Sequence, residues 1–247
     1  MQHIVDRLRA AGCVFAEDEA ALILAESSDA GMIESMVSRR VAGEPLEYIV
    51  GWAEFRGRRY RVEPGSFVPR HRTGLLVDLA IARCASGAVV LDLCCGSGAL
   101  GAAVADAVPN VRLWSSDLDA RSARLNLDPQ HVFEGDLFSP LPEALRGWVD
   151  VLICNTPYVP TAEIDLLPRE ARMFERIETL DGGSDGLDVQ RRLASEVRQW
   201  LAPGGVVLVE VGAVQARASA ALFAEHGLAA TIEVDDDTET TVVVASN

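Results

Sequence analysis

The chain has 247 residues, enough for one large α/β domain with a small appendage, and its formal charge of −15 argues against a broad basic surface for nucleic acid. No apolar run is long enough to cross a bilayer, and Met1-Gln2-His3 lacks a signal-peptide pattern, so a cytoplasmic location is expected. Five cysteines (Cys13, Cys84, Cys94, Cys95 and Cys154) form no Cys-x-x-Cys pair and four histidines are scattered, so reduced thiols and no metal site are expected.

Residues 1–50 read as helices. The first closes near Gly12; the second opens at Glu17-Asp18-Glu19 and carries Ala21, Leu22 and Leu24; the third spans roughly Gly31 to Val41. Between Trp52 and Val68, polar and apolar residues alternate around Gly57, the pattern of a β-hairpin. From about Thr73, helix and strand patterns alternate: helices over Leu75–Ala85, Leu100–Ala107, Ala120–Leu125, Val189–Leu201 and Ala213–Glu225, and strands over Val89–Leu93, Arg112–Ser116, His131–Glu134, Val149–Cys154 and Val206–Val211. A turn at Pro203-Gly204-Gly205 precedes the last of these, and Ala229–Val234 with Thr240–Ala245 forms a closing hairpin. Such alternation predicts a mostly parallel, doubly wound sheet.

Two strand ends carry the chemistry. Asn155-Thr156-Pro157-Tyr158 follows the strand Val149–Cys154, at the edge where open α/β sheets place their sites. A side-chain amide, a backbone carbonyl next to proline and an aromatic face can together cradle a planar NH2 group; an ordinary turn would use the same residue types. Asn155 and the Thr156 carbonyl would each accept one N–H, Pro157 would restrict Thr156 to extended conformations, and Tyr158 would pack on the acceptor plane. At the other strand end, Val89–Leu93 runs into Cys94-Cys95-Gly96-Ser97-Gly98, a glycine-containing bend before a helix. Gly96-x-Gly98-x-x-Gly101 also matches a dinucleotide fingerprint. Asp92, however, would face the ligand where a pyrophosphate would sit, and a carboxylate there suits the cationic sulfonium and amine of S-adenosylmethionine. Asp117, at the end of the next strand, can accept both ribose hydroxyls, with a solvated loop charge or helix cap as its other reading.

The chain resembles the HemK/PrmC protein-(glutamine-N5) methyltransferases over nearly its whole length. The resemblance rests on Arg39-Arg40 with Gly43-Glu44-Pro45-Leu46-Glu47-Tyr48-Ile49-Val50-Gly51, on Glu54-Phe55-Arg56-Gly57, on Pro64-Gly65-Ser66-Phe67-Val68-Pro69-Arg70, and on the two strand-end motifs. Leu180-Asp181-Gly182-Gly183-Ser184-Asp185-Gly186-Leu187, Pro203-Gly204-Gly205 and Glu210-Val211-Gly212 continue it. It implies a seven-stranded Rossmann-like methyltransferase sheet over 73–247, preceded by a helical substrate-recognition domain (1–51) and a hairpin linker (52–72). It implies S-adenosylmethionine as cofactor, with S-adenosylhomocysteine as product, and a protein glutamine as acceptor, a translation release factor being the named candidate. The cofactor residues it implies are Arg70, Thr73, Asp92, Cys94, Cys95, Gly96, Ser97, Gly98, Asp117, Leu118, Asp136, Leu137 and Asn155. Asn155, Thr156, Pro157 and Tyr158 would form the catalytic cradle. A monomer without direct DNA or membrane contact is expected.

The sequence departs from that family pattern at Cys94, where a glycine is usual, at Thr156, where a proline is usual, and at Arg72 and Gly74, where acids are usual. The stretch Asp119–Gln130 is also short. Two other functions stay open. Enzymes that methylate exocyclic amines of nucleic-acid bases share the cradle, and Arg56-Gly57-Arg58-Arg59-Tyr60-Arg61 could serve such a substrate. A cofactor-binding adaptor without catalysis would account for the departures.

Overall fold

The computed structural model describes residues 1–247. Four helices come first: α1 (Gln2–Ala10), α2 (Ala16–Glu26), α3 (Ala30–Val41) and the short α4 (Leu46–Val50). They close around Val5, Leu8, Ala16, Ala20, Ile23 and Val37. The inward face of α2 is therefore Ala16-Ala20-Ile23, spaced by four and three residues, while Leu22 and Leu24 are only partly buried. Asp29 caps α3 by accepting from Met32 N at 2.8 Å. A hairpin, β1 (Trp52–Phe55) and β2 (Arg58–Arg61), turns at Arg56-Gly57, both in the left-handed region.

The rest of the chain builds a twisted sheet: α5 (Gly74–Ile81), β3 (Val89–Leu93), α6 (Ala99–Ala107), β4 (Arg112–Asp117), α7 (Arg121–Asn126), β5 (Val132–Glu134), β6 (Val149–Cys154), α8 (Arg169–Phe174), α9 (Asp188–Val197), β7 (Leu201–Val211), α10 (Ala216–Glu225), β8 (Ala229–Asp235) and β9 (Thr240–Ser246). Strand order is β5-β4-β3-β6-β7-β9-β8. The first five strands in that order run parallel, and β9 enters antiparallel between β7 and β8. Pro203-Gly204-Gly205 is not a turn before the strand. It is an irregularity inside β7, where the pairing jumps from Val149–Leu201 to Val151–Val206.

The two-residue period of the strands sorts their side chains into two cores. Val89, Leu91, Leu93, Leu152, Cys154, Val207 and Val209 face α9 and α10, meeting Leu193, Val197 and Phe223. Val90, Val151, Ile153 and Leu208 face α5 and α6, meeting Leu76, Val77, Leu100 and Val104. Asp92 shares the second face with Val90, which decides its role. Between Tyr158 and Leu187 the sequence periodicity assigns nothing. The chain there forms a strap: a 3-10 turn over Thr161–Leu166, then α8, then a 3-10 turn over Ile177–Thr179.

Candidate active site

Chain order in the sheet reverses at β3. From β3 the chain steps outward to β4 and β5, then returns to place β6 on its other side. The loops leaving the C-terminal ends of β3 and β6 consequently part and leave a crevice. The strap roofs it in part, and the cavity beneath measures about 580 Å³.

One wall is the β3–α6 loop. Cys94, Cys95, Gly96 and Ser97 line the cavity. Cys94 has φ 54°, a left-handed conformation that a residue with a Cβ adopts at a cost. Asp117, at the tip of β4, accepts from Gly96 N at 2.8 Å through one oxygen and from Asp119 N at 2.9 Å through the other. Burial pushes its carboxyl above the ordinary range despite these bonds. The apolar flanks are Leu118, exposed at the rim, and Leu137, a second left-handed residue with φ 45°, whose carbonyl accepts from Ser116 Oγ at 2.6 Å. Asp136 lies at the edge, ion-paired with Arg192.

Two residues expected at the cofactor, Asp92 and Gly98, do not line the cavity. Asp92 projects from the α6 face of β3, and its Oδ2 accepts from Gly101 N at 2.9 Å, so it anchors the start of α6 from behind the cavity. Gly98, with φ 77°, also stands behind: a Cβ there would come within 2.6 Å of Leu127 Cδ1, so its glycine serves helix packing. The remaining expected residues, including Arg70 and Thr73, line the cavity.

The opposite wall is the β6 end. Asn155, Thr156, Pro157 and Tyr158 line it. No group of the protein hydrogen-bonds the Asn155 side chain or the Thr156 carbonyl, although the Thr156 hydroxyl is held by Gln190 Nε2 at 3.1 Å. Neither acceptor is spent within the protein, and both residues line the cavity. Tyr158 is clamped at both ends. Its hydroxyl accepts from Arg72 Nη2 at 2.8 Å and donates to Glu210 Oε1 at 3.3 Å, and its carbonyl accepts from Gln215 Nε2 at 2.9 Å. Burial, then the neighbouring Glu210, raises the phenol pKa, so the hydroxyl stays protonated. Burial likewise raises the Glu210 carboxyl.

The glycine motif at 182–186 explains itself here. Gly186, with φ 79°, lets the chain lie against Tyr158: a Cβ would come within 2.2 Å of the Tyr158 carbonyl oxygen. Gln215, unmarked in the sequence, joins Tyr158 to Asp185, donating to the Asp185 carbonyl at 2.7 Å. Asn126 is another such residue, donating to the Ser97 carbonyl at 2.9 Å and the Arg61 carbonyl at 2.8 Å, and so tying the hairpin to the β3–α6 loop. The strap residues were equally hidden, because α8 and its flanking turns are too short to show a period. They are fastened by Glu175 to Arg70, by Arg176 to Asp119 at 3.3 Å, and by Glu170 to Arg40 at 2.9 Å.

This donor set fits S-adenosylmethionine better than a dinucleotide. The amide of Gly96, which a pyrophosphate would need at this bend, is spent on Asp117. What lines the cavity is the half-buried carboxylate of Asp117 between apolar flanks, suited to a ribose and a cationic tail.

The residues 72–174 match the family model described as Methyltransferase small domain. The release factor glutamine methyltransferase of Geobacter sulfurreducens is 37% identical over 78% of this chain and 69% of that protein. The chain belongs to this family. A second relative, the 4-amino-L-phenylalanine/4-methylamino-L-phenylalanine methyltransferase of Streptomyces pristinaespiralis, is 36% identical over 77% of this chain and 69% of its own length. A methyltransferase structure from Pyrococcus furiosus shares the fold, with a TM-score of 0.55 and 17% identity over 76% of this chain and 88% of that one. No helix is long and apolar enough to cross a membrane.

Proposed function

We propose that this protein transfers the methyl group of S-adenosylmethionine to the side-chain carboxamide nitrogen of a protein glutamine, the acceptor being a translation release factor. The observation that carries the reading is the free pair of acceptors, the Asn155 side-chain oxygen and the Thr156 carbonyl, at the wall facing the β3–α6 loop. A carboxamide nitrogen is a poor nucleophile because its lone pair is delocalised. Its two N–H groups, held by Asn155 and Thr156, fix the direction of that lone pair, and Tyr158 supports the amide plane. Alignment of this kind contributes up to roughly 7–11 kcal/mol in favourable cases. The cofactor, when bound, supplies a methyl group on a cationic sulfur. Asp117, Leu118, Leu137 and the Cys94–Ser97 loop are the residues that would hold it. No strong base is needed in the cradle, since the amide proton can leave after transfer.

The hairpin arginines support a protein acceptor over a nucleic acid. Arg56 pairs with Asp78, Arg58 with Asp106 and Arg59 with Glu26, while the Arg59 guanidinium also covers the Trp52 ring at 3.7 Å, so most of the cluster's charge is neutralised within the chain. A small aromatic amine is a second reading, favoured by the similarity to the Streptomyces pristinaespiralis enzyme. Incubation with purified release factor and isotopically labelled S-adenosylmethionine, followed by peptide mass spectrometry, decides between them. The expected result is one methylated glutamine, with Asn155→Ala reducing turnover by about 10²–10³-fold. Absence of label on the release factor, with label on 4-aminophenylalanine, would reverse the assignment.

A further inference from the structure

Four arginines line the cavity: Arg70, Arg72, Arg176 and Arg192. Three of them end on a carboxylate, Arg70 on Glu175, Arg176 on Asp119 at 3.3 Å and Arg192 on Asp136. Arg72 does not. Its nearest carboxylate oxygen, Glu210 Oε1, is 3.9 Å from Nε, beyond hydrogen-bond length, and that carboxyl is itself buried behind Tyr158. One Arg72 donor goes to the Tyr158 hydroxyl at 2.8 Å, and half of the side chain stays exposed. The backbone below it is fixed, since the Arg72 carbonyl accepts from Thr240 Oγ1 at 2.9 Å. The result is a guanidinium held at the hydroxyl of Tyr158, beside the acceptor cradle, with unspent N–H groups.

We propose that Arg72 is a specificity residue that binds a carboxylate carried by the methyl acceptor close to the target nitrogen. A guanidinium matches a carboxylate through two parallel N–H···O bonds, and those bonds are charge-assisted. The inference rests on reading the β6 wall as the acceptor site. The carboxylate can come from an acidic side chain flanking a glutamine, or from the α-carboxylate of an amino-acid acceptor.

The test measures binding apart from turnover. Two fluorophore-labelled peptides, Ala-Ala-Gln-Ala-Ala and Ala-Ala-Gln-Asp-Ala, both with blocked ends, are titrated by anisotropy into the wild-type protein, Arg72→Gln and Arg72→Glu, with S-adenosylhomocysteine present. N-acetylglutamine and N-acetylglutaminamide serve as competitors to report on an α-carboxylate. The expected result is that wild type binds the aspartate peptide, or competes with N-acetylglutamine, at least about 10-fold more tightly than the uncharged counterpart. Arg72→Gln should bring the ratio to within about twofold, and Arg72→Glu should reverse it in favour of the uncharged peptide. A merely structural Arg72 would weaken charged and uncharged ligands alike, and that outcome, or equal wild-type affinities, overturns the proposal. Methylation of the bound peptides is scored separately: a charge preference without glutamine methylation retires the glutamine reading and keeps the carboxylate subsite, and methylation without preference does the reverse.

Discussion

Gln190 on α9 donates to the Thr156 hydroxyl at 3.1 Å, and the Gln190 oxygen in turn accepts from Ser219 on α10 at 2.5 Å. All three side chains are buried. The threonine that replaces a usual proline in the cradle is therefore part of a buried hydrogen-bond chain, while its carbonyl has no partner in the protein. Thr156→Val keeps the shape but strands the Gln190 amide, a loss of about 1–3 kcal/mol. Urea unfolding should show that loss. Methyl transfer should persist, because the carbonyl is untouched. Unchanged stability would mean that Gln190 finds another partner.

Cys94 occupies a left-handed backbone conformation that costs of order 1–3 kcal/mol for a residue with a Cβ. Cys94→Gly removes that strain but loosens the unfolded chain, so a net gain of about 1 kcal/mol is expected, a rise in Tm of about 2–4 °C. Cys94→Ala keeps the Cβ and should gain nothing. Equal behaviour of the two variants in differential scanning calorimetry would show that the backbone strain is not felt.

The strand ends were legible because each joins a short apolar run to chemically distinctive residues, and sheet topology then fixes their adjacency. Asp92 lies outside the cavity for one physical reason: the sequence places it near the loop, but only the alternation of β3 decides which face it leaves from, and that face belongs to α6. The strap, Gln215 and Asn126 were illegible for another. The roles of Gln215 and Asn126 lie in bonds to carbonyls of residues far along the chain, and those of the strap in ion pairs with equally distant side chains; nothing in local spacing carries that information.

Arg40 joins the helical region to the strap. Its guanidinium pairs with Glu19 of α2 at 2.7 Å and Glu170 of α8 at 2.9 Å, and it also donates to the Glu44 carbonyl at 3.0 Å. Both Arg40 and Glu19 are largely buried. Arg40→Ala leaves Glu19 without its partner, and removal of one member of a buried pair costs about 3–5 kcal/mol at full burial, less here. Hydrogen exchange should rise across residues 160–179 as well as in α2 and α3. A rise confined to α2 and α3 would show that the strap is held by Glu175 and Arg176 alone.

Asp92 gives the protein a specific pH dependence. Burial, reinforced by the charge of Asp117 and opposed by the Gly101 N–H, pushes its carboxyl up to about 7. The unfolded chain holds that proton only below about pH 3.9. Between these values the folded state binds more protons than the unfolded state, so stability falls as pH rises. The contribution is complete below about pH 4, is lost progressively towards pH 7, and changes little above it. Asp92→Asn is isosteric, keeps an oxygen for Gly101 N and cannot ionise. It should match wild type at about pH 4 and exceed it at pH 8 by about 1–4 kcal/mol, since each tenfold difference in proton affinity between the folded and unfolded chain corresponds to about 1.4 kcal/mol. Glu210, raised in the same direction but not acting on Asp92, cancels in the difference between the two proteins, whereas Asp117 is coupled to Asp92 and contributes to that difference. Urea unfolding of both at several pH values between 4 and 8 measures it, and a difference that does not vary with pH would mean that Asp92 is already ionised in the folded protein throughout.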